Sequence, residues 1–223
     1  MSPTEPPTGR RLRRAERRAE MVRAAIDAVR AHGPAVSVAR IAAVAGITKP
    51  VLYRHFTDRA DLQRAVAQAA VALLMARMAP ALRADREPVD HIRGVVDAFL
   101  AGIEDDPQLW RFVVHHPIER APGSAIVDDA REDFARMLAT LLGERLRAIG
   151  VDPGGAEVWA HGLVGMVHNA GDRWLGGHTM SRAALADHLT ALIWGGLSAI
   201  LGAAPGVAPA ASRPADGDLH RQH

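Results

Sequence analysis

Residues 41–58, IAAVAGITKPVLYRHFTD, constrain the fold of this chain more than any other stretch. They read as two short helices joined by a tight turn. Ile41, Val44 and Ala45 are spaced for one helical face, and Gly46 supplies a turn where a small or positive-φ residue is favoured. The second helix opens on Thr48, Lys49 and Pro50 and runs to Phe56. Proline is tolerated in a first helical turn, where its missing N–H is not needed. The exposed remainder is hydroxyl, cationic and aromatic-polar, the chemistry that contacts phosphates and base edges. Together these features describe a helix-turn-helix whose second helix is offered to a major groove.

These residues resemble the N-terminal DNA-binding domain of the TetR family of bacterial one-component regulators. The family's pattern is an IA-x-x-AG turn, a recognition helix ending in LY-x-HF, a cation three residues later and a Leu three beyond that. Here the positions are Ile41-Ala42, Ala45-Gly46, Leu52-Tyr53-Arg54-His55-Phe56, Arg59 and Leu62. The match spans about residues 37–62. The rest of the chain corresponds only in length and helical layout. Pro50 departs from the pattern, where Gly is common; it stiffens the helix start and removes one N–H from the phosphate-facing side. The resemblance implies a homodimer bound to a palindromic double-stranded DNA operator and a small-molecule effector. Carried onto this sequence, it gives DNA-binding residues Ser37, Arg40, Thr48, Lys49, Tyr53, Arg54, His55 and Arg59.

The charge distribution agrees. Residues 1–60 hold twelve Lys and Arg against five Asp and Glu, whereas the remainder holds fifteen against twenty. A basic head on an acidic body is what a phosphate-binding module attached to a non-binding one requires. Lys49 is the only lysine; Arg otherwise replaces it, and Ala, Gly and Pro are abundant, a composition typical of GC-rich, actinobacterial genomes. There is no cysteine, which excludes disulfides, thiolate metal sites and cysteine nucleophiles. No apolar h-region follows the start, and no run approaches the ~18 apolar residues of a membrane helix. A cytoplasmic protein with no membrane partner is expected.

The expected fold class is all-α, with about nine helices. Residues 1–9 read as a disordered tail, 10–57 as a three-helix DNA-binding domain, 58–201 as a six-helix ligand-binding and dimerisation domain, and 202–223 as a second disordered tail. In the first helix Met21, Val22, Ala25, Ile26 and Val29 share a face. Six arginines between residues 10 and 18 precede it, read as an arm that touches DNA backbone or minor groove, with a solvated helix end as the simpler alternative. Gly33-Pro34 stops this helix and Ser37 caps the next. Thr57 or Asp58 caps a long helix carrying Leu62, Val66, Ala69, Leu73 and Ala76, which Pro80 and the polar run to Pro88 should end. Five more helices follow: 89–103; one opening on Asp106-Pro107; 124–149; one opening on Asp152-Pro153; and a last capped by Ser181.

Other constellations are weighed against simpler roles. Tyr53, the only tyrosine, sits where the motif favours a phosphate contact over half-buried packing, whereas Leu52 and Phe56 read as core. Thr48 and Lys49 begin the recognition helix, where a DNA partner offsets the cost of a cation at the positive end of the dipole. Asp128, Asp129, Glu132 and Asp133 superficially resemble a magnesium-binding cluster, but acids at a helix start are favoured by the dipole, and no second cluster faces them. His115, His116, His161 and His168 show no convergence of three or four ligands, so no metal, cofactor or catalytic residue is assigned. Glycines in the body's helices, Gly162, Gly165, Gly171, Gly195 and Gly196, cost roughly 1 kcal/mol each. Close helix approach explains them, and in the resembled family the last two helices build the dimer. Leu163, Gly165, Trp194, Gly196 and Leu197 are the interface candidates. Trp110, Phe112, Phe134, Trp159, Met166 and Asn169 are candidate walls of a ligand cavity, with plain core packing as the alternative. The reading is a DNA-binding regulator, a repressor released by a small apolar or amphipathic ligand, and not an enzyme. Two alternatives remain: a ligand-independent helical DNA-binding protein, and an all-α enzyme with an accessory DNA head.

Overall fold

A computed structural model describes residues 9–114 and 124–202. Among these are nine α-helices and no strand: α1 (Gly9–His32), α2 (Val38–Val44), α3 (Lys49–Leu52), α4 (Arg59–Arg83), α5 (Pro88–Asp105), α6 (Pro107–Val114), α7 (Ser124–Ala148), α8 (Ala156–Gly177) and α9 (Arg182–Gly202). The predicted tails fall outside the described residues, except that Gly9 begins α1 and Gly202 ends α9. His115 and His116 also lie outside them.

Local chemistry sets most boundaries. Gly33, at φ +83°, closes α1, its N–H donating to the Val29 carbonyl at 2.8 Å. The Ser37 hydroxyl accepts the Arg40 N–H at 3.2 Å and starts α2. Gly46, at φ +66°, turns the chain between α2 and α3. Asp58 caps α4 by accepting the Asp61 N–H at 2.7 Å, and Ser181 caps α9.

Three expectations are corrected. Regular α-helix in the recognition segment stops at Leu52 instead of running to Phe56; the His55 N–H then turns back to the Leu52 carbonyl at 2.9 Å. This tightening delivers Phe56 beside Leu52 in the core, where both are buried. Pro80 does not end α4, which continues to Arg83. The surrounding turn is held because Met78 is buried in the body core and Leu82 packs against it. The α4 stripe also shifts: Leu73 is exposed, and Leu74, Met75 and Met78 face the body instead.

The core has two parts. One joins α1, α2 and the recognition segment to Leu62, Ala65, Val66 and Ala67 of α4 and to Leu109, Phe112 and Val113 of α6. The other gathers Met78, Val96, Phe99, Leu100, Ile103, Trp110, Trp174, Leu175 and the inner face of α9. Residue 57 is therefore a bend in the chain, not an edge of the first core; α4 and α6 contribute to both. Gly171 lets α8 close on α5, since a methyl there would meet Phe99 at 2.9 Å, Ile103 at 3.0 Å and Leu100 at 3.1 Å.

By length and mean hydropathy, 1.6 and 1.3, α4 and residues 182–200 of α9 are apolar enough to cross a membrane, although polar residues interrupt both and neither holds a run of ~18 apolar residues. Both carry core residues. Only 28% of the α9 stretch is buried within the chain, so much of its apolar surface remains uncovered.

Candidate nucleic-acid interface and body sites

The turn between α2 and α3 builds a polar face on the head. Ser37, Arg40, Thr48, Lys49, Tyr53, Arg54 and Arg59 are all exposed on it, Tyr53 to 41%. Thr48 adopts an extended N-cap backbone but makes no side-chain cap bond, so its hydroxyl remains available. Lys49 has no ion pair among the described residues. His55 is half-buried, and its Nδ1 is buried without a hydrogen-bond partner there. Beneath this surface Ile41, Ala42, Leu52 and Phe56 are buried, whereas Val44, expected inward, is 42% exposed. In a seven-residue helix the Ile41–Ala42 edge meets α1, leaving Val44 on the outer side.

An ionic clamp fixes the recognition turn. The Arg18 guanidinium stacks over Phe56 at 4.6 Å and donates to Asp61 Oδ1 at 2.8 Å. Asp61 Oδ2 accepts the Thr57 N–H at 3.0 Å. That backbone bond is the main reason the Asp61 carboxyl sits below its ordinary pKa; partial burial opposes it, and the charges of Arg18 and Arg64 assist. Arg14 donates to the Arg54 carbonyl at 3.5 Å. Sequence reasoning placed Arg18 in the arginine arm and missed its pairing with Asp61, which spans forty-three residues.

At the other end of α1, Arg30 grips Asp106 bidentately, Nε to Oδ1 at 2.7 Å and a terminal nitrogen to Oδ2 at 2.8 Å. Asp106 occupies the α5–α6 corner, and its carbonyl accepts the Trp110 N–H at 3.0 Å. It also lines a cavity of about 50 Å³ between α4, α5, α6 and α7, walled mainly by Leu73, Leu74, Ile103, Leu109, Trp110 and Val113. That space falls far below the ~300 Å³ of an ordinary small-molecule pocket.

Of the residues expected to wall a pocket, only Trp110 borders this cavity. Its indole N–H donates to Asp172 at 2.9 Å and its ring meets Phe99 edge-on at 5.8 Å. Phe112 is buried in the head-side core, and Phe134 and Met166 pack against the body core. Trp159 lies over Gly155, and Asn169 is exposed. A larger recess of about 340 Å³, open to solvent, lies between α4 and α5 around Arg77, Arg86, Arg93 and Asp97. Arg77 is tied to Asp105 at 2.7 Å and Arg93 to Asp187 at 2.6 Å.

Among the dimer candidates, Leu163 and Leu197 are half-buried against the body core, and Trp194 is half-buried. Gly165 and Gly196, with Gly162 and Gly195, are open: a methyl added at any of them would meet nothing within 4 Å. Beside them Val158 is 74% and Leu192 66% exposed. Within the chain α8 rests on α7 and α5, and α9 on α5, leaving these apolar, small-residue faces outward.

No group of three His, Asp or Glu among the described residues is placed to hold a metal. His161 pairs with Glu132 at 3.0 Å rather than with His168, and its other nitrogen donates to the Glu157 carbonyl at 2.8 Å. That carbonyl bond first, then Glu132, raises its pKa.

Comparison with known proteins supplies the family. Residues 22–66 match the profile "Bacterial regulatory proteins, tetR family", and residues 76–208 match "Tetracyclin repressor-like, C-terminal domain". An uncharacterised HTH-type transcriptional regulator of Mycobacterium tuberculosis is 37% identical over 187 residues, 83% of this chain and 79% of that protein. The HTH-type transcriptional activator FasR of Mycolicibacterium smegmatis is 31% identical over 193 residues, covering 85% and 87%. A TetR-like regulator from a Rhodococcus species superposes with a TM-score of 0.62 at 26% identity, covering 82% of this chain and 96% of that one. FadR of Bacillus subtilis, solved with stearoyl-CoA, has the same fold, with a TM-score of 0.60 at 15% identity and coverage of 78% and 96%.

Proposed function

Because this chain belongs to the TetR family of DNA-binding transcriptional regulators, we propose that it acts as a homodimeric repressor on a palindromic operator and is released by a small apolar or amphipathic ligand. The observation that carries this reading is one chain with two unsatisfied surfaces: a cationic and hydroxyl face on the helix-turn-helix, and apolar, glycine-rich faces on α8 and α9. Pairing the second face with its two-fold copy sets two recognition segments for successive major-groove turns, ~34 Å apart. Thr48, Lys49 and Tyr53 meet DNA from the recognition segment, Arg59 from the start of α4, and Ser37 and Arg40 from α2. The molecule works by binding, with no catalytic step, in the cytoplasm.

Ligand control follows from linkage. A ligand that wedges open the apolar space beside Trp110 displaces α6 and α4, which are shared by both core clusters. It then favours a form whose recognition segments are wrongly spaced, with a typical coupling of ~1–3 kcal/mol. The small volume of that cavity favours a second reading, a regulator that needs no ligand. Selection of bound duplexes from a random pool, repeated with stearoyl-CoA as an amphipathic probe, tests the proposal. An enriched inverted repeat released by the probe supports it. Absence of any enriched sequence refutes the operator reading. A repeat held equally with and without a panel of apolar ligands supports the ligand-free regulator. Because FasR is named an activator, a promoter fusion in cells with and without the protein fixes the sign: expression that falls on deletion would overturn repression.

A further inference from the structure

The recess between α4 and α5 gathers more cationic donors than the chain itself uses. Its volume is about 340 Å³, and three guanidinium groups line it, those of Arg77, Arg86 and Arg93, against one carboxylate, Asp97. Asp97 is already held, accepting from Arg182 Nε at 2.9 Å. Arg77 and Arg93 each pair with a carboxylate outside the recess, Asp105 at 2.7 Å and Asp187 at 2.6 Å. Arg93 reaches Asp187 through Nε, so its terminal nitrogens can serve another acceptor. Arg86 lies in the α4–α5 connection and has no ion pair or hydrogen bond among the described residues, although Asp85 and Glu87 adjoin it. Its terminal nitrogen lies over Gly94, where an added methyl would meet it at 3.3 Å. That glycine lets the guanidinium fold against α5 on the wall of the recess.

Arg77 stands at a divide within the body. A methyl at Gly102 would meet Leu74, and Arg77 Cδ at 3.8 Å, so both side chains cover that glycine. Leu74 and Gly102 also wall the apolar cavity beside Trp110. The partner of Arg77, Asp105, directly precedes Asp106, which Arg30 of α1 grips. An occupant that draws Arg77 away from Asp105 therefore acts on the corner that holds the head.

We propose that this recess binds a small molecule bearing a diphosphate, with Arg77, Arg86 and Arg93 as its contacts, and that its occupancy lowers operator affinity. The chemistry selects a multiply charged anion. The side chains of Arg77 and Arg93 are nearly half exposed, and a single ion pair in that setting contributes little, because water screens it and the side chains lose freedom. Three guanidinium forks on one molecule add up, and each matches phosphate oxygens two at a time. Diphosphate balances three cations better than a lone carboxylate does. The volume suits a small ligand, whose sites begin near ~300 Å³. The binding site stands apart from the operator reading; only its effect on DNA rests on it.

The test is calorimetric titration of the full chain, without DNA and at low salt, with inorganic pyrophosphate, ADP and farnesyl diphosphate. Pyrophosphate should bind once per chain. Tighter binding of ADP would mark a nucleotide as the source of the diphosphate, and tighter binding of farnesyl diphosphate a lipid; either supports the site. Arg86→Gln should weaken pyrophosphate about tenfold, the low end for a charged hydrogen bond, and should melt with the wild type, since Arg86 has no partner to lose among the described residues. Gly94→Glu, which sets a carboxylate against Arg86, should abolish binding. No heat from any of the three probes at millimolar concentration overturns the site, as does an affinity that both variants leave unchanged. An affinity lost with Lys49→Ala instead also overturns it, because the anion then sits on the DNA face. On a selected operator, saturating pyrophosphate should weaken the wild type by about fivefold or more and Arg86→Gln far less. Equal weakening of both is competition at the DNA face and overturns the effector role, as does no weakening of either. Failure to select any operator is a failure of the operator reading and leaves the calorimetric result standing.

Discussion

Glycine-to-alanine changes at three positions should move stability and association in different directions. Alanine exceeds glycine in an exposed helix interior by about 0.8–1 kcal/mol. At Gly165 and Gly196 an added methyl meets nothing within 4 Å in a single chain, so each isolated subunit should gain that amount. For a chain of this length the gain is worth about 2–4 °C per kcal/mol. In a two-fold interface built on those glycines, each substitution places a methyl on both partners. Overpacking costs roughly 1–3 kcal/mol per site, hence about 2–6 kcal/mol per dimer, or at least ~30-fold in Kd. Gly171 is the control: its methyl would press on Phe99, Ile103 and Leu100 within the chain, so Gly171→Ala should lower stability at every concentration. Sedimentation equilibrium gives the dimer constant, and thermal melts across a hundredfold range of concentration separate subunit from dimer stability. Gly165→Ala and Gly196→Ala that both melt higher and dimerise as tightly as wild type would show that these glycines lie outside any close interface, and the reasoning fails.

Arg30→Gln should lower the melting temperature only slightly, since the pair is partly exposed and worth about 0.5–1 kcal/mol. It should alter operator affinity more than that, because it frees α1 from the α5–α6 corner; unchanged affinity by anisotropy would make the pair merely local. Arg59→Ala should reduce the salt slope by about one per head and weaken all sequences alike; Lys49→Ala should relax discrimination by ~1–3 kcal/mol if it reads guanine. Equal behaviour of both variants on operator and scramble, at wild-type affinity, would remove them from the interface. His161 has its folded pKa raised above its unfolded value near 6.5, so the stabilisation it gives is fully present below about pH 6.5 and is lost as pH rises through the folded pKa. Denaturant midpoints of His161→Gln should therefore converge on wild type towards pH 9 and fall below it near pH 5.5; a constant gap across that range contradicts the titration.

What was legible in the sequence is mostly what is local. Gly33, Ser37, Gly46 and Asp58 act within a few residues of themselves, and each ends or caps its helix as turn chemistry dictates. The pattern failed where tertiary packing decides. Val44 and Ala42 compete for the inside of a seven-residue helix, and only the position of α1 settles it. Pro80 reads as a stop, yet Met78 and Leu82 hold the turn around it. Phe112 groups with the body by position, but α6 aims it at the head core. The clamp of Arg18, Phe56, Thr57 and Asp61 leaves no periodic trace, because it joins α1 to the start of α4 across the fold. The open glycines of α8 and α9 were visible as an anomaly of composition, and the structure leaves them facing outward.

The central claim is that two copies of this chain read DNA together. Sedimentation velocity of the protein on an operator selected from random sequence, with labelled duplex, measures stoichiometry and site geometry at once. The account predicts two chains per duplex, or a multiple of two, and inverted half-sites whose centres lie a whole number of helical turns apart. A single chain saturating a single half-site at micromolar protein would contradict it.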